Sequence, residues 1–372
     1  MRLLLLHPEA RYYGGAERVL EHFLAGLLAA GHQVTVGVAP GSRVAARLPQ
    51  GCSVLALPDN GRFSLLTLGR TALMVHGAHG RTPFDLVHGW GARDWELTAL
   101  TGRLLRRPAT GTLHDHPAAG FISPARRRLM QLAANHGLRR VACVSEAVRE
   151  ACLQRKYPEE KLEVIHNGLP APAPLRREWG AAGRLRLGFL GVFSERKGLR
   201  GLFAALAAFA GRAKRPWELH VAGEAQDEAG RQLVAGIKRE YSNAPWWAQV
   251  HWHGWVAAPA QFLGSLDLLI VPSAEFDPLP TVLLEAGQMG TPVMATRVGG
   301  VPEIVLPGQT GWLLEPGDWA EAAGQLSWLT EQPAGELARC GTRAFQRVTT
   351  EFALAQMAEH YGRFFGAASG SS

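Results

Sequence analysis

Two carboxylates lie close together in the stretch between Val271 and Glu303. Asp277 lies in a loop bracketed by prolines, and Glu285 follows eight positions later in an apolar segment. A loop carboxylate and a helix carboxylate can each accept hydrogen bonds from hydroxyl groups of one ligand. The spacing therefore predicts a site for a ligand with paired hydroxyls, such as a sugar or a ribose.

The elements that position these carboxylates follow from the apolar pattern. Residues 268–272 are predicted to form a buried strand that runs into a loop, and residues 281–289 a helix. Pro280 suits the first helical turn, where no amide hydrogen is needed, and Gly290 suits a left-handed cap. Glu285 is thus expected one turn inside a rigid helix, with Asp277 projecting from the loop before it.

Paired glycines occur at two predicted helix starts. Gly299 and Gly300 follow a strand that begins at residues 292–295, and Gly14 and Gly15 precede the first helix. Glycines at the start of a helix leave backbone amides open to phosphate. We expect Gly299 and Gly300 to hold phosphate, and the Gly14 and Gly15 amides to approach a donor phosphate or an acceptor.

The two carboxylates and a series of short motifs resemble one enzyme family. The Asp277 to Glu285 spacing resembles the Glu-x7-Glu signature of retaining glycosyltransferases of family 4. The other motifs are Gly14-Gly15-Ala16-Glu17-Arg18-Val19, Val144-Ser145-Glu146, Asn167-Gly168, Arg196-Lys197-Gly198 and Thr310-Gly311. The resemblance covers nearly the whole chain. It implies an α/β protein of GT-B architecture, with two Rossmann-like doubly wound domains facing across a cleft and a C-terminal helix that crosses back to the first domain.

The chain departs from the family pattern at two positions. The first acid is Asp277 rather than Glu, and Gly191-Val192 stands where the family usually has Gly-Arg. Glu275 is an alternative first acid, but it lies ten positions before Glu285. The spacing favours Asp277, and Arg196 is a candidate to replace the arginine missing at Val192.

The resemblance implies a role for each donor-site residue. Asp277 would contact the hydroxyls of the donor sugar, Glu285 the ribose, and Lys197 the diphosphate, with Arg196 beside it. The predicted donor-binding residues are Gly14, Gly15, Arg196, Lys197, Asp277, Pro278, Leu279, Glu285, Gly299 and Gly300. Asp277 and Lys197 are also predicted to be catalytic.

A histidine is expected on the reacting side. His114 follows the predicted strand 109–113, where the family carries a histidine that reaches toward the donor sugar. It would hydrogen-bond the sugar and stabilise positive charge near the anomeric carbon. His116 lies two residues further on, so both histidines remain candidates.

Length and strand rhythm indicate two domains. A chain of 372 residues is too long for one ordinary core. Residues 1–170 are predicted to form the acceptor domain, joined by a returning helix at 351–365, and residues 184–350 the donor domain. The hinge is placed at residues 169–174, which hold three prolines. The predicted strands are 2–7, 33–39, 85–88, 109–113 and 141–145 in the first domain, and 185–190, 218–222, 250–252 and 268–271 in the second.

Positive charge is concentrated in the first half of the chain. The first 170 residues hold 21 Lys and Arg against 13 Asp and Glu, a net charge of +8. Arg126, Arg127 and Arg128 open a predicted helix that would lie on an anionic membrane or hold a phosphorylated lipid acceptor. The alternative is an ordinary solvated helix face. Nucleic acid is not an expected partner, because no zinc-finger spacing or RNA-binding signature accompanies the charge.

Composition narrows the location and the cofactors. The leucine run at residues 3–6 is far too short to cross a bilayer, and the four cysteines have no paired or metal-ligand spacing. We therefore expect a cytoplasmic protein, either free in the cytoplasm or peripheral on the inner face of the cell membrane. The sequence contains no Asp-x-Asp, so we expect no metal and no other cofactor.

These features together predict a metal-independent retaining glycosyltransferase. It would move a sugar from a nucleotide-diphosphate sugar to a glycan or lipid-linked acceptor, in cell-surface polysaccharide or glycolipid assembly. The alternatives are a catalytically silent sugar-nucleotide-binding subunit and another GT-B enzyme, such as a sugar-nucleotide epimerase. The choice among UDP, GDP and ADP, the sugar and the acceptor stay open.

Overall fold

The computed structural model of the protein describes residues 1–10, 13–61, 64–120, 122–172 and 183–370. The chain divides into two units. The first comprises Met1–Pro170 with Phe352–Ser372, and the second comprises Ala171–Glu351. The hinge predicted at residues 169–174 extends beyond residue 172, so its last part lies outside the described residues.

A seven-stranded sheet forms the centre of the first unit. Its strands are β1 (Arg2–His7), β2 (Gln33–Val38), β3 (Ser53–Ala56), β4 (Leu86–Gly89), β5 (Ala109–Leu113), β6 (Arg140–Cys143) and β7 (Leu162–Val164). The order is β3-β2-β1-β4-β5-β6-β7, and all neighbours are parallel. The four leucines of β1 are all buried, because a parallel sheet is covered on both faces.

Helices cover this sheet. They are α1 (Gly15–Ala29), α2 (Leu65–Arg81), α3 (Trp95–Leu105), α4 (Pro124–Leu132) and α5 (Glu146–Gln154). Ala72 and Val75 of α2 and Leu97 of α3 pack with Leu4 and Leu6 of β1 in one cluster. The helices α2 and α3 therefore lie side by side on one face of the sheet.

The second unit repeats this architecture with six strands. They are β8 (Leu185–Leu190), β9 (Trp217–Ala222), β10 (Val250–Gly254), β11 (Leu268–Val271), β12 (Val293–Thr296) and β13 (Gly311–Leu314), in the parallel order β10-β9-β8-β11-β12-β13. The helices are α6 (Leu199–Phe209), α7 (Glu228–Tyr241), α8 (Pro259–Gly264), α9 (Thr281–Gln288), α10 (Val301–Ile304), α11 (Trp319–Glu331) and α12 (Ala334–Glu351). Phe203 of α6 stacks on Trp252 of β10 with ring centroids 5.6 Å apart.

The last helix, α13 (Leu354–Ser369), belongs to the first unit. The ring of Tyr361 lies 4.5 Å from that of Phe23 in α1, and its hydroxyl lies 2.7 Å from the hydroxyl of Thr112 in β5. Just before α13, the amide of Leu354 donates to the carbonyl of Leu169 at 2.8 Å. The predicted return of the C-terminal helix to the first domain is therefore present.

Most predicted elements have the expected position. The strands at residues 2–7, 109–113, 185–190 and 268–271 have those bounds. The last helix begins at Leu354 rather than at residue 351, because Ala353 is extended and bridges to Leu169. Pro280 is the residue before the first turn of α9 rather than within it, since its ψ of 113° is extended. Gly290 has the predicted left-handed conformation, with φ of +63°.

The arginine-rich helix is α4, and its first arginine does not lie on a solvated face. Arg126 is 7% exposed. Its guanidinium pairs with Glu96 of α3 at 3.1 Å and donates to the carbonyl of Arg93 at 2.5 Å. The prediction of three arginines on one membrane-facing or solvated surface is therefore wrong for Arg126, while Arg128 is exposed.

Within the described ranges, no helix combines the length and apolar character needed to span a bilayer. In the same residues, no group of three or more His, Cys, Asp or Glu side chains is placed to hold a metal ion. The four cysteines are free thiols.

Candidate functional site

The strand order of the second sheet reverses between β8 and β11, which are neighbours in space. Ligands of open parallel sheets bind beyond the carboxyl ends of the strands at such a reversal. The loops that follow β8, β11 and β12 lie at this edge and carry Lys197, Asp277 and Gly299 with Gly300. Hydrogen bonds join all three loops.

Lys197 and Asp277 form an ion pair between two of these loops. Nζ of Lys197 donates to Oδ2 of Asp277 at 2.5 Å, and the hydroxyl of Ser273 donates to the same oxygen at 3.0 Å. The side chain of Asp277 is 6% exposed and that of Lys197 is 18% exposed. Asp277 therefore does not project from its loop as expected, because a buried carboxylate needs its charge compensated within the fold.

The environment of Asp277 keeps it ionised. Burial alone would raise its pKa, but the charge and hydrogen bond of Lys197, the charge of Arg196 and the hydroxyl of Ser273 lower the pKa below its usual value. Of the three N–H donors of a lysine ammonium, the described residues engage one. Lys197 can therefore bind a second anion while it stays paired with Asp277.

A glycine lets the Lys197 loop approach the strand end of β11. Gly198 has a φ of +72°, and a Cβ at this position would lie 1.7 Å from the carbonyl oxygen of Pro272. The amide of Ala274 donates to the carbonyl of Arg196 at 2.9 Å, while the Arg196 side chain is exposed. The close approach at Gly198 and the hydrogen bond to the Arg196 carbonyl therefore fix the backbone of this loop, while the Arg196 guanidinium stays in solvent.

The glycine pair after β12 packs on the backbone of Asp277. Gly299 has a φ of +52°, and a Cβ there would lie 2.1 Å from the carbonyl oxygen of Asp277. The amide of Gly300 donates to that oxygen at 2.9 Å. The prediction that both amides are open to phosphate is therefore wrong for Gly300, and the turn supports the Asp277 loop.

The remaining donor-side residues surround the start of α9. Glu285 lies one turn inside this helix, and its side chain is half-buried. Pro278 is half-buried and Leu279 is buried, whereas Glu275 is exposed on the loop before Asp277. Of the two acids considered for the loop position, Asp277 is thus the one that the fold holds in place.

The first sheet has its own reversal of strand order, between β1 and β4. His7 ends β1, and Trp90 and His114 directly follow β4 and β5. These strands are neighbours, so the three side chains share the carboxyl edge of the sheet. The loop after β1 leads to Gly14 and Gly15 at the start of α1.

His7 is a buried cation between two carboxylates. Its Nδ1 lies 3.0 Å from Oδ2 of Asp94, and its Nε2 lies 3.4 Å from Oε1 of Glu17. Burial alone would lower the pKa of His7, but Asp94 and Glu17 raise it to about 10. Burial likewise opposes ionisation of Glu17, but His7 and the amide of Gly14 lower its pKa to about 2. His7 and Glu17 are therefore both charged at neutral pH.

Glu17 also holds the glycine loop. The amide of Gly14 donates to Oε2 of Glu17 at 2.7 Å, and the amide of Arg18 donates to the carbonyl of Gly14 at 3.2 Å. A Cβ at Gly14 would make only an ordinary contact, 3.7 Å from Glu17. The expectation that the Gly14 amide approaches a ligand is therefore wrong, because Glu17 occupies it. Gly15 begins α1.

The two candidate histidines after β5 have different environments. The ring of His114 lies 4.6 Å from that of Trp90, and burial lowers its pKa to about 3. Both ring nitrogens of His114 are buried and have no hydrogen-bond partner among the described residues. His116 instead accepts the amide of Ala118 at 3.1 Å through Nδ1. His114 is thus a neutral imidazole with unused donor and acceptor capacity, and His116 stabilises a turn.

Sequence reasoning gave no site role to five residues of these sites: His7, Glu17, Trp90, Asp94 and Ser273. Two had a local signal. His7 ends the leucine-rich first strand, and the spacing of Gly14 and Glu17 is that of a capping box, which places Glu17 at this edge. Asp94 pairs with His7 over 87 positions of sequence, and no local pattern shows such a contact.

Family models match both halves of the chain. Residues 184–332 match the model of glycosyl transferases group 1, and residues 13–171 match the model of glycosyltransferase family 4. The protein therefore belongs to these glycosyltransferases, as the sequence motifs predicted.

Individual relatives agree with this membership. Glycogen synthase of Mycobacterium tuberculosis is 26% identical over 395 residues, which cover 95% of this chain and 91% of that protein. Alpha-maltose-1-phosphate synthase of the same organism is 30% identical over 253 residues, or 59% of this chain and 60% of that protein. The structure of Anabaena HepE in complex with UDP superposes with a TM-score of 0.85 at 23% identity, over 99% of this chain and 100% of that one. The fold is GT-B.

Proposed function

We propose that this protein is a retaining, metal-independent glycosyltransferase that moves a sugar from a nucleotide-diphosphate sugar to a glycan or lipid-linked acceptor. One observation carries the proposal. In this member of the glycosyltransferase family, Lys197 forms an ion pair with Asp277 at the point where the strand order of the second sheet reverses. A partly exposed lysine with unused donors at this point suits a diphosphate.

The donor side would divide its tasks among three charged residues. Lys197 would bind the diphosphate and stabilise it as the leaving group, with Arg196 adding positive charge from the loop surface. Asp277 would keep Lys197 in place and accept a hydrogen bond from a sugar hydroxyl. Glu285 would accept hydrogen bonds from the ribose. Support for a nucleotide-sugar donor comes from Anabaena HepE, whose structure has also been solved in complex with UDP-glucose.

The first unit would supply the acceptor side. His114 is neutral, so it can donate one hydrogen bond and accept another without placing a cation beside the sugar. We propose a front-side reaction in which the acceptor oxygen bonds to the anomeric carbon as the bond from that carbon to the diphosphate oxygen breaks. The acceptor proton passes to the departing phosphate. The anomeric configuration is then retained without a protein nucleophile.

Charge compensation at the diphosphate would come from side chains rather than from a metal. Lys197 and Arg196 are the cations beside Asp277. We further propose that the protein acts in the cytoplasm, at the inner face of the cell membrane, in the assembly of a cell-surface polysaccharide or glycolipid. The basic first half of the chain supports a location beside anionic lipid.

The proposal is tested by donor screening followed by a transfer assay. Thermal shift against UDP-, GDP- and ADP-sugars identifies the donor, because a ligand that binds only the folded state raises its stability. Transfer of that sugar to glycan and glycolipid acceptors is then measured with and without EDTA, and the anomer of the product is read by NMR. We expect a retained anomer and an EDTA-resistant rate. An inverted product, or activity that EDTA abolishes and Mg²⁺ restores, contradicts the corresponding part of the proposal.

Variants separate an enzyme from a silent binding subunit. We expect Asp277→Ala and Glu285→Ala to lose turnover while they keep the circular dichroism spectrum of the wild type. Glu275→Ala is the matched control, because this carboxylate is exposed on the same loop. Donor binding by the wild type without turnover on any acceptor would favour the silent subunit.

A further inference from the structure

One helical layer of the first unit exposes an unusual number of apolar side chains. Of the twelve large apolar side chains that are exposed among the described residues, seven lie on α2, α3 and α4. Leu66 is 87% exposed and Leu73 is 67% exposed. The seven residues are Leu65, Leu66, Leu73, Met74, Leu100, Leu104 and Leu132. We call the outward faces of these three helices the helical face.

The helices of this face are neighbours in one layer. Val75 of α2 and Leu97 of α3 share a core cluster beneath the layer. Arg126 of α4 pairs with Glu96 of α3 at 3.1 Å, which ties α4 to α3. The exposed side chains of the three helices therefore point away from the same sheet face.

Arginines alternate with the exposed leucines on each helix. Arg70 lies one turn from both Leu66 and Leu73 on α2, and all three are exposed. On α3 the exposed residues Leu100, Arg103 and Leu104 are adjacent, and on α4 Arg128 precedes Leu132 by one turn. Each helix thus presents leucine and arginine together.

Acidic groups are missing from this pattern. The segments that form α2, α3 and α4 contain one carboxylate, Glu96, which is 8% exposed and paired with Arg126. The exposed charges of the helical face are therefore all positive. The complementary surface must be anionic and must also take up leucine side chains.

We infer that the helical face docks on an anionic lipid bilayer. The leucines would enter the boundary between headgroups and acyl chains, and the arginines would bind lipid phosphates while their stems lie along the apolar layer. A nucleic acid offers phosphates but no apolar phase for leucines. A protein partner would be expected to fill one continuous apolar patch rather than leucines separated by arginines on three helices.

This inference gives a surface to the proposed membrane location, and it does not depend on the transfer reaction. It also moves the contact from the arginine run of α4 alone to three helices. Binding can be measured without a donor sugar, so failure of the inference and failure of the proposed activity are distinguishable.

The test is co-sedimentation of the full chain with two kinds of vesicle. One contains phosphatidylcholine alone, and the other also contains about 30% phosphatidylglycerol, which supplies anionic headgroups. We expect binding to the anionic vesicles only. The variant Leu66→Gln/Leu73→Gln/Leu104→Gln should weaken it at least about tenfold, and Arg70→Gln/Arg103→Gln/Arg128→Gln should weaken it similarly. All six side chains are exposed, so both variants should keep the thermal midpoint of the wild type.

Matched controls come from the second unit. Trp255→Gln/Trp328→Gln/Phe345→Gln removes three exposed apolar side chains, and Arg231→Gln/Arg239→Gln/Arg343→Gln removes three exposed arginines. Both controls should bind anionic vesicles like the wild type. Equal binding by the leucine variant and the wild type overturns the inference, as does equal binding to neutral vesicles. Tight binding to duplex DNA that the leucine variant retains would identify a general polyanion surface instead.

Discussion

Both units place charged side chains where the strand order of a parallel sheet reverses, but the two sites carry opposite excess charge. In the first unit, one cation, His7, lies between Glu17 and Asp94. In the second, one carboxylate, Asp277, lies beside Lys197 within the field of Arg196. The same position in one fold therefore hosts opposite electrostatics, and the side chains on the loops decide which ligand each site suits.

Burial differs as well. His7 and Asp94 are 6% and 1% exposed, and their side chains bind each other inside the fold. The Lys197 side chain is 18% exposed and keeps donors that a ligand can reach. We therefore propose that the first cluster is a rigid support and that the second binds a ligand. The following experiments test that difference.

The largest effect is expected at Lys197. Replacement by alanine removes the cation proposed for the diphosphate, so transfer should fall by about 10³-fold, at the upper end for loss of one electrostatic contact. The variant should also unfold more easily, because Asp277 is left buried without its partner. Steady-state kinetics and thermal unfolding measure the two effects.

A double variant separates these two effects at Lys197. In Lys197→Met/Asp277→Asn both charges are gone, so the thermal midpoint should recover while transfer stays low. Lys238→Ala is the control for loss of an exposed lysine in the same unit. If Lys197→Ala retains wild-type kcat/KM, the second site is no more functional than the first, and the comparison fails.

A large effect on stability, with little on chemistry itself, is expected at His7. Its folded pKa of about 10 exceeds the ordinary histidine value of 6.5, so its contribution to stability is complete below pH 6.5 and disappears as pH rises toward 10. Glu17 has a folded pKa of about 2, so its contribution is complete above pH 4.5 and disappears as pH falls toward 2. Wild-type stability should therefore peak between pH 4.5 and 6.5 as far as this cluster determines it.

His7→Gln tests this assignment. At pH 6 the variant should lose about 3–5 kcal/mol in the free energy of unfolding, because two carboxylates remain buried without their cation. It should also lose the decline in stability that is expected for the wild type as pH rises from 6.5 toward 10, and urea denaturation at several pH values measures this. His76→Gln, at an exposed position, should keep that decline. A His7→Gln variant with the wild-type decline would mean that His7 does not hold its proton.

His114 is expected to matter for transfer and not for stability. His114→Ala should lower kcat by about 10²-fold, a typical value for a hydrogen-bonding catalytic group. His116→Ala should change kcat by less than about threefold, because Nδ1 of His116 accepts a hydrogen bond from the amide of Ala118 within a turn. His114→Leu should fold with the wild-type midpoint, since neither ring nitrogen has a partner among the described residues to lose. A larger loss in His116→Ala than in His114→Ala would reverse the assignment.

The smallest effect is expected at the glycine turn that supports Asp277. The side chain of an alanine at Gly308 would enter open space. The φ of +69° is then the only strain, and it should lower the free energy of unfolding by about 1–2 kcal/mol. Alanine at Gly299 has the same backbone cost and also overlaps the carbonyl oxygen of Asp277. Gly299→Ala should therefore be less stable than Gly308→Ala by a further amount of about 1–2 kcal/mol in chemical denaturation. Equal losses would show that the turn does not brace the loop.

The sequence was sufficient to predict the strands that have strong apolar runs. It was also sufficient to identify Lys197 and Asp277 as residues of the loops at the strand ends. It did not show β3 or β7, because Ser53–Ala56 is a mostly exposed strand at the sheet edge and Leu162–Val164 has three residues. The four-residue strand β13 was also missed. Such segments gain their structure from a neighbouring strand rather than from a local pattern.

The geometry of the sites was beyond local patterns for a different reason. Lys197 and Asp277 were both predicted, but their pairing spans 80 positions, and each was assigned to a ligand rather than to the other. The amides of Gly14 and Gly300 were expected to serve ligands, yet Glu17 and Asp277 occupy them. A sequence shows which groups can bind a ligand, but only the fold shows which of them are already used.

The return of α13 to the first unit has a consequence for biosynthesis. Tyr361, Phe364 and Phe365 are completely buried in the first unit, but the ribosome adds them after the whole second unit has been made. The core around Phe23, which is synthesised before the second unit, is therefore complete only after α13 has been made. A premature stop after Glu351 would remove no strand or helix of the second unit, although the stop lies at its end in the sequence. It would instead remove α13 from the core of the first unit.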